Sequence, residues 1–134
     1  MSVYALDANI VSYYLKENAL VIGHIEEALI AGDEIVIGPI AYYEVRRGLL
    51  ALGSPERLRK FERFCQMFSV GRLDNQILDT AADIYVDLRK QGRIIADADI
   101  LIAAYCINNS FTLVTGNVKH FEYVQNLHFV DWTN

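Results

Sequence analysis

Cysteine and proline are scarce in this chain, with two of each in 134 residues. Cys65 and Cys106 form no C-x-x-C pair, which excludes a disulfide scaffold and a zinc ribbon. Both fall on helix-like apolar faces and read as reduced core residues. Basic charge is short as well: 12 Lys and Arg against 17 Asp and Glu give a formal charge of −5. Such a chain does not coat nucleic acid by bulk charge, although a local basic patch or a bridging cation would still permit contact. Long apolar runs are missing. The longest, residues 100–107, has 8 residues, against about 20 for a membrane span. Asp7 interrupts the first residues with no basic stretch before it, so no signal peptide is expected. These absences together point to the cytoplasm. No repeat, low-complexity tract or linker is visible.

What remains is a globular composition, 53% hydrophobic and 22% charged, read as one domain over residues 1–134. Val3-Tyr4-Ala5-Leu6 and Ile35-Val36-Ile37 are short apolar runs without polar alternation, as in strands buried on both faces of a parallel sheet. Residues 111–114 and 127–130 repeat the pattern, and Ser69-Val70-Gly71 reads as a short edge strand. Between them lie helices. Ile22, Ile25 and Leu29 mark one, stopped by Gly32. A second runs from about Ile40 to Leu52. Ser54-Pro55 opens a third with the stripe Leu58, Phe61, Cys65 and Phe68. Asp74 caps a fourth, and Asp97 caps the apolar helix that follows. Alternating strands and helices give an α/β, three-layer α/β/α fold with a central, mainly parallel sheet of 4–5 strands. A helical hairpin, about 40–68, is inserted beside the sheet.

In an open parallel sheet the binding crevice lies at the carboxyl ends of the strands. Four junctions carry polar groups there: Asp7 after the first strand, Glu44 one turn into the helix after the second, Asp97 and Asp99 at the start of the apolar helix, and Thr115-Gly116-Asn117 after the fourth strand. Asp7, Glu44 and Asp99 stand in apolar surroundings, unlike most acids of the chain. Half-buried carboxylates at about 4 Å repel by about 4 kcal/mol at an effective dielectric of 20, so such a cluster protonates or takes a cation. An oxygen-only donor set without His or Cys favours Mg2+ or Mn2+. Each residue also has a plainer reading: Asp7 as a helix cap, Glu44 paired with Arg47, Asp97 as a cap only, Asn117 as a turn residue.

The blocks Leu6-Asp7-Ala8-Asn9, Tyr42-Tyr43-Glu44-Val45-Arg46-Arg47-Gly48, Asp97-Ala98-Asp99-Ile100-Leu101-Ile102-Ala103-Ala104 and Thr115-Gly116-Asn117-Val118-Lys119-His120-Phe121 occur in this order. In that sequence of blocks the chain resembles the PIN domain, in particular the VapC-class toxins of type II toxin–antitoxin pairs. The resemblance implies a metal-dependent endoribonuclease silenced by a cognate antitoxin. It assigns Asp7, Glu44 and Asp99 as catalytic acids and ligands of Mg2+ or Mn2+. Asn117 matches a fourth ligand position that is an acid in many members, and Asp97 is a further candidate. Asn9 and Thr115 match supporting polar positions.

The reaction so implied is in-line attack of water on an RNA phosphodiester, leaving 5′-phosphate and 3′-hydroxyl ends. The substrate is a tRNA, rRNA or mRNA. Arg46, Arg47 and Lys119 are candidate phosphate contacts by their nearness to Glu44 and Asn117. His120 reads as a surface group or a support to the site, and His24 and His128 as surface or core residues. The helical insertion carries more apolar residues (Tyr42, Tyr43, Leu49, Leu50, Phe61, Phe64 and Phe68) than one face of each helix can bury. The surplus is expected to form an antitoxin groove, with a homodimer or a larger toxin–antitoxin assembly. Two other classes compete: a catalytically silent binding module of the same fold, and another Mg-dependent phosphoryl-transfer domain. A phosphatase of that class needs a second acid where Asn9 stands.

Overall fold

The short apolar runs fold as expected, into parallel strands. The computed structural model describes residues 1–134. It contains β1 (Val3–Leu6), α1 (Ala8–Leu15), α2 (Ala19–Ile30), β2 (Glu34–Ile37), α3 (Pro39–Leu52), α4 (Pro55–Met67), β3 (Ser69–Val70), α5 (Asn75–Lys90), α6 (Asp97–Asn109), β4 (Thr112–Val114), α7 (Val118–Phe121) and β5 (Phe129–Val130). The strands form one sheet in the order β3-β2-β1-β4-β5, and every pairing is parallel. Side chains alternate between its faces. Ala5, Val36 and Leu113 meet α5 and α6 on one side. Leu6, Ile35, Ile37 and Val114 meet α1 to α4 on the other. This is the three-layer arrangement, with a separate core on each face of the sheet.

Helix boundaries follow their caps. Asn18, Ser54 and Asp74 each accept a bond from a backbone N–H three residues on, at 3.1, 3.3 and 2.9 Å. Gly53 closes α3 in the left-handed conformation at φ 74°, which glycine adopts without steric cost. Four expectations need correction. The buried stripe of α2 is Val21, Ile25 and Ala28, while Leu29 is exposed. The helix therefore sits rotated from its most apolar residues, because the small Ala28 lets it approach the sheet. In α4, Phe61 and Phe64 lie inside with Phe68, and Cys65 is only half-buried. The cap of α6 is Ala96, with no side-chain bond, so Asp97 is the first helical residue and not the cap. Residues 118–121 add a one-turn helix to the reading.

Gly38 decides how closely α6 approaches the sheet edge. It ends β2 and precedes α3, and a Cβ built there overlaps Cδ1 of the buried Ile102. Ile102 lies one turn beyond Asp99, so this close approach helps place Asp99 beside the other acids. Gly38→Ala should destabilise the chain by about 1–3 kcal/mol, the usual cost of overpacking. Ile102→Val removes Cδ1 and alone should cost about 0.5–1.5 kcal/mol. The double variant should lose less than the sum of the two, a coupling that urea unfolding of all four proteins would measure. Strict additivity would mean that this contact does not set the helix position.

Candidate active site

The sheet order places β1 and β4 side by side, with their following helices on opposite routes. Their carboxyl ends are thus the topological switch point of the sheet, where parallel α/β folds open a crevice. Asp7 follows β1 there, and Thr115 follows β4. They are the only polar or charged residues that the fold buries, at 6% and 0% exposure.

Burial of these two is matched by a complete set of hydrogen bonds. The Thr115 hydroxyl donates to Asp7 Oδ2 at 2.9 Å and accepts from the Asn117 N–H at 3.0 Å. Asp7 Oδ1 accepts from the Ala8 N–H at 2.8 Å. Asp7 therefore does cap α1, and it presents its carboxyl to the crevice at the same time. Asn9 Oδ1 accepts weakly from the Gly116 N–H at 3.4 Å. Both expected supporting residues, Asn9 and Thr115, thus hold the loop after β4 against Asp7.

Glu44 and Asp99 come from α3 and α6, with side chains 29% and 19% exposed. Their charges reach the same place. Burial pushes the Asp7 carboxyl above its ordinary range, and the charge of Asp99 pushes it further, against the lowering hydrogen bonds. Glu44 is raised first by burial, then by Asp7 and by Asp99, with Arg47 opposing. The three carboxylates repel one another across the crevice, and no Lys or Arg forms an ion pair with Asp7 or Asp99.

The acids are coupled without being closed into a cage. Nowhere do three acid, His or Cys side chains stand close enough together to enclose an ion. Asp99 Oδ2 instead meets His120 Nδ1 at 2.9 Å, and Glu44 Oε2 lies 3.8 Å from Arg47. A cation shared by all three would draw Asp99 off His120 and Glu44 off Arg47. The donor chemistry fits a hard divalent cation: oxygen ligands, partial burial and three carboxylates with a single arginine beside them.

The remaining candidates are placed as follows. Asn117 is exposed at the start of α7. Asp97 is exposed at the first position of α6 and is not drawn to the other acids. Arg46 pairs with Glu62 on α4 at 3.7 Å. Arg47 stays at the site and lies 5.0 Å over the Tyr43 ring. Lys119 is exposed and without an ion pair. The contact of His120 with Asp99 is closer than its sequence position suggested. The available signal was its place one turn after Asn117.

The helical insertion divides its apolar residues between the core and the surface. Phe61, Phe64 and Phe68 belong to the core, because the turn after α3 folds α4 back over Tyr14 and Tyr42. The surplus apolar surface is instead Tyr43, Leu50 and Leu52 on α3, each more than half exposed. A groove of about 710 Å3 runs between α1 and the hairpin, lined by Leu15, Val45, Leu49 and Leu52 and reaching Glu44. Cys106 is wholly buried, with its thiol raised by burial and by Asp7, which leaves it inert as a nucleophile. No helix is long and apolar enough to cross a membrane.

The chain is similar to known proteins in both sequence and fold. Residues 4–126 match the family model of the PIN domain. Ribonuclease VapC1 of Haemophilus influenzae strain R2866 is 30% identical over 132 residues, 98% of each chain. Among solved structures, VapBC2 from Rickettsia felis, bound to a DNA fragment from its promoter, superposes with a TM-score of 0.87 at 25% identity over 97% of this chain and 98% of that one. VapBC-1 from nontypeable Haemophilus influenzae gives 0.85 at 31% identity over 98% and 99%.

Proposed function

We propose, from the premise that this chain belongs to the PIN-domain family and groups with the VapC ribonucleases, that it is a metal-dependent endoribonuclease toxin held silent by a cognate antitoxin. The observation that carries this reading is the convergence of Asp7, Glu44 and Asp99. They arrive from three separate elements at the switch point of the sheet, where burial and the neighbouring carboxylates raise the proton affinity of Asp7 and Glu44. A silent module of the same fold would have no use for charges placed so unfavourably.

Asp7, Glu44 and Asp99 are the proposed cation ligands, with Asn117 and Asp97 as further candidates. Bound Mg2+ or Mn2+ supplies positive charge against a phosphate oxygen and lowers the pKa of an attacking water. Thr115 and the Ala8 N–H orient the Asp7 carboxyl, which fixes the side of the crevice that a phosphodiester must face. His120, which meets Asp99 Oδ2 at 2.9 Å, would serve the scissile region as a hydrogen-bonding group. Arg47 and Lys119 contact flanking phosphates. Cleavage then leaves 5′-phosphate and 3′-hydroxyl ends. The substrate is RNA, of the tRNA, rRNA or mRNA class.

The antitoxin is proposed to lie in the groove between α1 and the hairpin. A segment seated on Leu49 and Leu52 reaches Glu44, so one contact both binds the partner and covers an acid of the site. The relatives of known structure were crystallised as VapBC complexes, which supports an antitoxin partner and a larger assembly for this chain.

Purified protein should cut tRNA or rRNA with Mg2+ or Mn2+ and stop in EDTA, and Asp99→Asn should be inactive under all three conditions. Mapping the ends tests the chemistry directly. Cyclic phosphates, or cleavage that survives EDTA, would remove the metal-dependent mechanism.

A further inference from the structure

Arg93 and Tyr123 form the tightest cation–aromatic stack in the molecule, and neither figures in the chemistry above. The Arg93 guanidinium carbon lies 3.2 Å above the Tyr123 ring centre. The corresponding distances for Arg47 on Tyr43 and Arg89 on Tyr85 are 5.0 and 5.5 Å. Both partners of the tight stack are exposed, Tyr123 by 44%. Arg93 has no acidic partner, whereas Arg46, Arg47 and Lys60 each do.

The position of the stack bears on its use. Arg93 sits in the turn between α5 and α6, and its N–H donates to Leu88 O at 2.9 Å. The same turn leads directly into Asp97 and Asp99. Tyr123 lies three residues after His120, the group that touches Asp99. Its neighbours Phe121 and Val124 are buried and fix the backbone on either side of it. The stack therefore ties the turn that leads into Asp97 and Asp99 to the segment that follows His120. Ile94, 87% exposed, adds bare apolar surface next to it.

We propose that Arg93 and Tyr123 form a stacking platform that receives an unpaired base of single-stranded RNA entering the acidic crevice. A planar guanidinium with an open face and no counter-charge suits both a base plane and an adjacent phosphate. Stacking on aromatic and Arg planes is how proteins hold splayed, single-stranded nucleotides. In a chain of net charge −5, an unpaired cation in the turn that leads to Asp97 and Asp99 gives the polyanion a place to land. Duplex RNA keeps its bases stacked on one another and gains nothing from the platform. The proposal rests on the ribonuclease reading and names how that site would choose its substrate form.

The test uses the full chain carrying Asp7→Asn, to prevent cleavage, and a short labelled single-stranded oligoribonucleotide followed by fluorescence anisotropy. Arg93→Ala and Tyr123→Ala should each weaken binding roughly tenfold, within the range measured for lost base stacking. Tyr123→Phe and Tyr123→Trp should retain it, because the ring and not the hydroxyl carries the contact. Arg93→Lys should fail, lacking the plane. In the cleavage-competent chain the two alanine variants should raise KM and leave kcat and the melting temperature near the parent's. Unchanged affinity in both alanine variants would overturn the platform, as would loss in Tyr123→Phe or a loss that follows a lowered melting temperature. A parent that cleaves RNA while these variants change nothing refutes the platform and keeps the ribonuclease reading. A parent that binds through the stack and cuts no RNA does the reverse. A parent that neither binds nor cleaves refutes both.

Discussion

Asp7→Asn should abolish ribonuclease activity and leave the protein at least as stable as the parent at neutral pH without metal. The expected loss of rate is a hundredfold to a thousandfold or more, about the scale seen when one preorganised charge-stabilising group is removed. Stability should not follow, because the Asp7 charge is buried against two other acids. Burial and the charge of Asp99 raise its pKa in the folded chain. A carboxyl raised in this way binds its proton more tightly when folded. Its contribution to stability is therefore present below the unfolded value and is lost as pH rises through the folded value. Glu44 has the same sign. The metal-free protein should thus gain stability from these two groups on mild acidification, opposite to the usual behaviour of paired carboxylates. Asparagine is isosteric and uncharged and still accepts from the Ala8 N–H. Its amide nitrogen would face the Thr115 hydroxyl, which must then redirect its own proton, at a cost of about 1 kcal/mol.

The measurement is thermal unfolding at several pH values, with and without Mg2+ or Mn2+, for parent and variant. Added metal should raise the melting temperature of the parent by mass action and leave Asp7→Asn nearly unmoved. The pH slope of the metal-free parent should flatten in the variant. A variant that unfolds well below the parent without metal would show that Asp7 is chiefly a structural cap, and lost activity could not then be credited to its charge.

Trp132→Ala should cost about 3–5 kcal/mol, the range for removing a buried large aromatic, and so a sizeable part of a typical domain's 5–15 kcal/mol. Trp132 is 7% exposed. Its ring lies 4.9 Å from Tyr4 of β1 and is stacked at 5.5 Å on His24 of α2. It thereby ties residues 131–134 across the β1 side of the sheet. The tie reaches the site: a Cβ at Gly116 would stand 3.3 Å from Thr133 and 3.4 Å from Asn9, so these residues grip the loop after β4 from two sides. Denaturant unfolding should show the loss. Any activity left in the folded fraction should fall as well, because a looser 115–117 loop no longer presents the Thr115 hydroxyl to Asp7. Trp132→Phe should recover most of the stability. A cost under about 1 kcal/mol would mean that residues 131–134 rest on the surface without supporting it.

These two residues illustrate how differently the sequence discloses its parts. Asp7 was legible because an acid directly after a four-residue apolar strand is out of place unless it serves that edge. Asp99 and Glu44 were legible for the same reason, being acids in apolar helical surroundings. Thr115 and Asn9 followed from the resemblance of the blocks around them. Nothing in Asp131-Trp132-Thr133 indicates that Trp132 packs on residues more than a hundred positions earlier.

The sequence by itself determined the strands, the parallel sheet, the caps at Ser54 and Asp74, and the list of acids. All of these depend on local pattern: apolar runs, helical spacing and residue types that bond their own backbone. Tertiary structure decided the rest, because direction and distance are set by packing between remote elements. It turned Arg46 to Glu62 and kept Arg47 by Glu44. It buried the phenylalanines of α4 and left Leu50 and Leu52 of α3 outside. It aimed His120 at Asp99, and it laid Arg93 on Tyr123 across thirty residues of chain. A side chain's partner depends on where two helices cross, and only the complete fold fixes that.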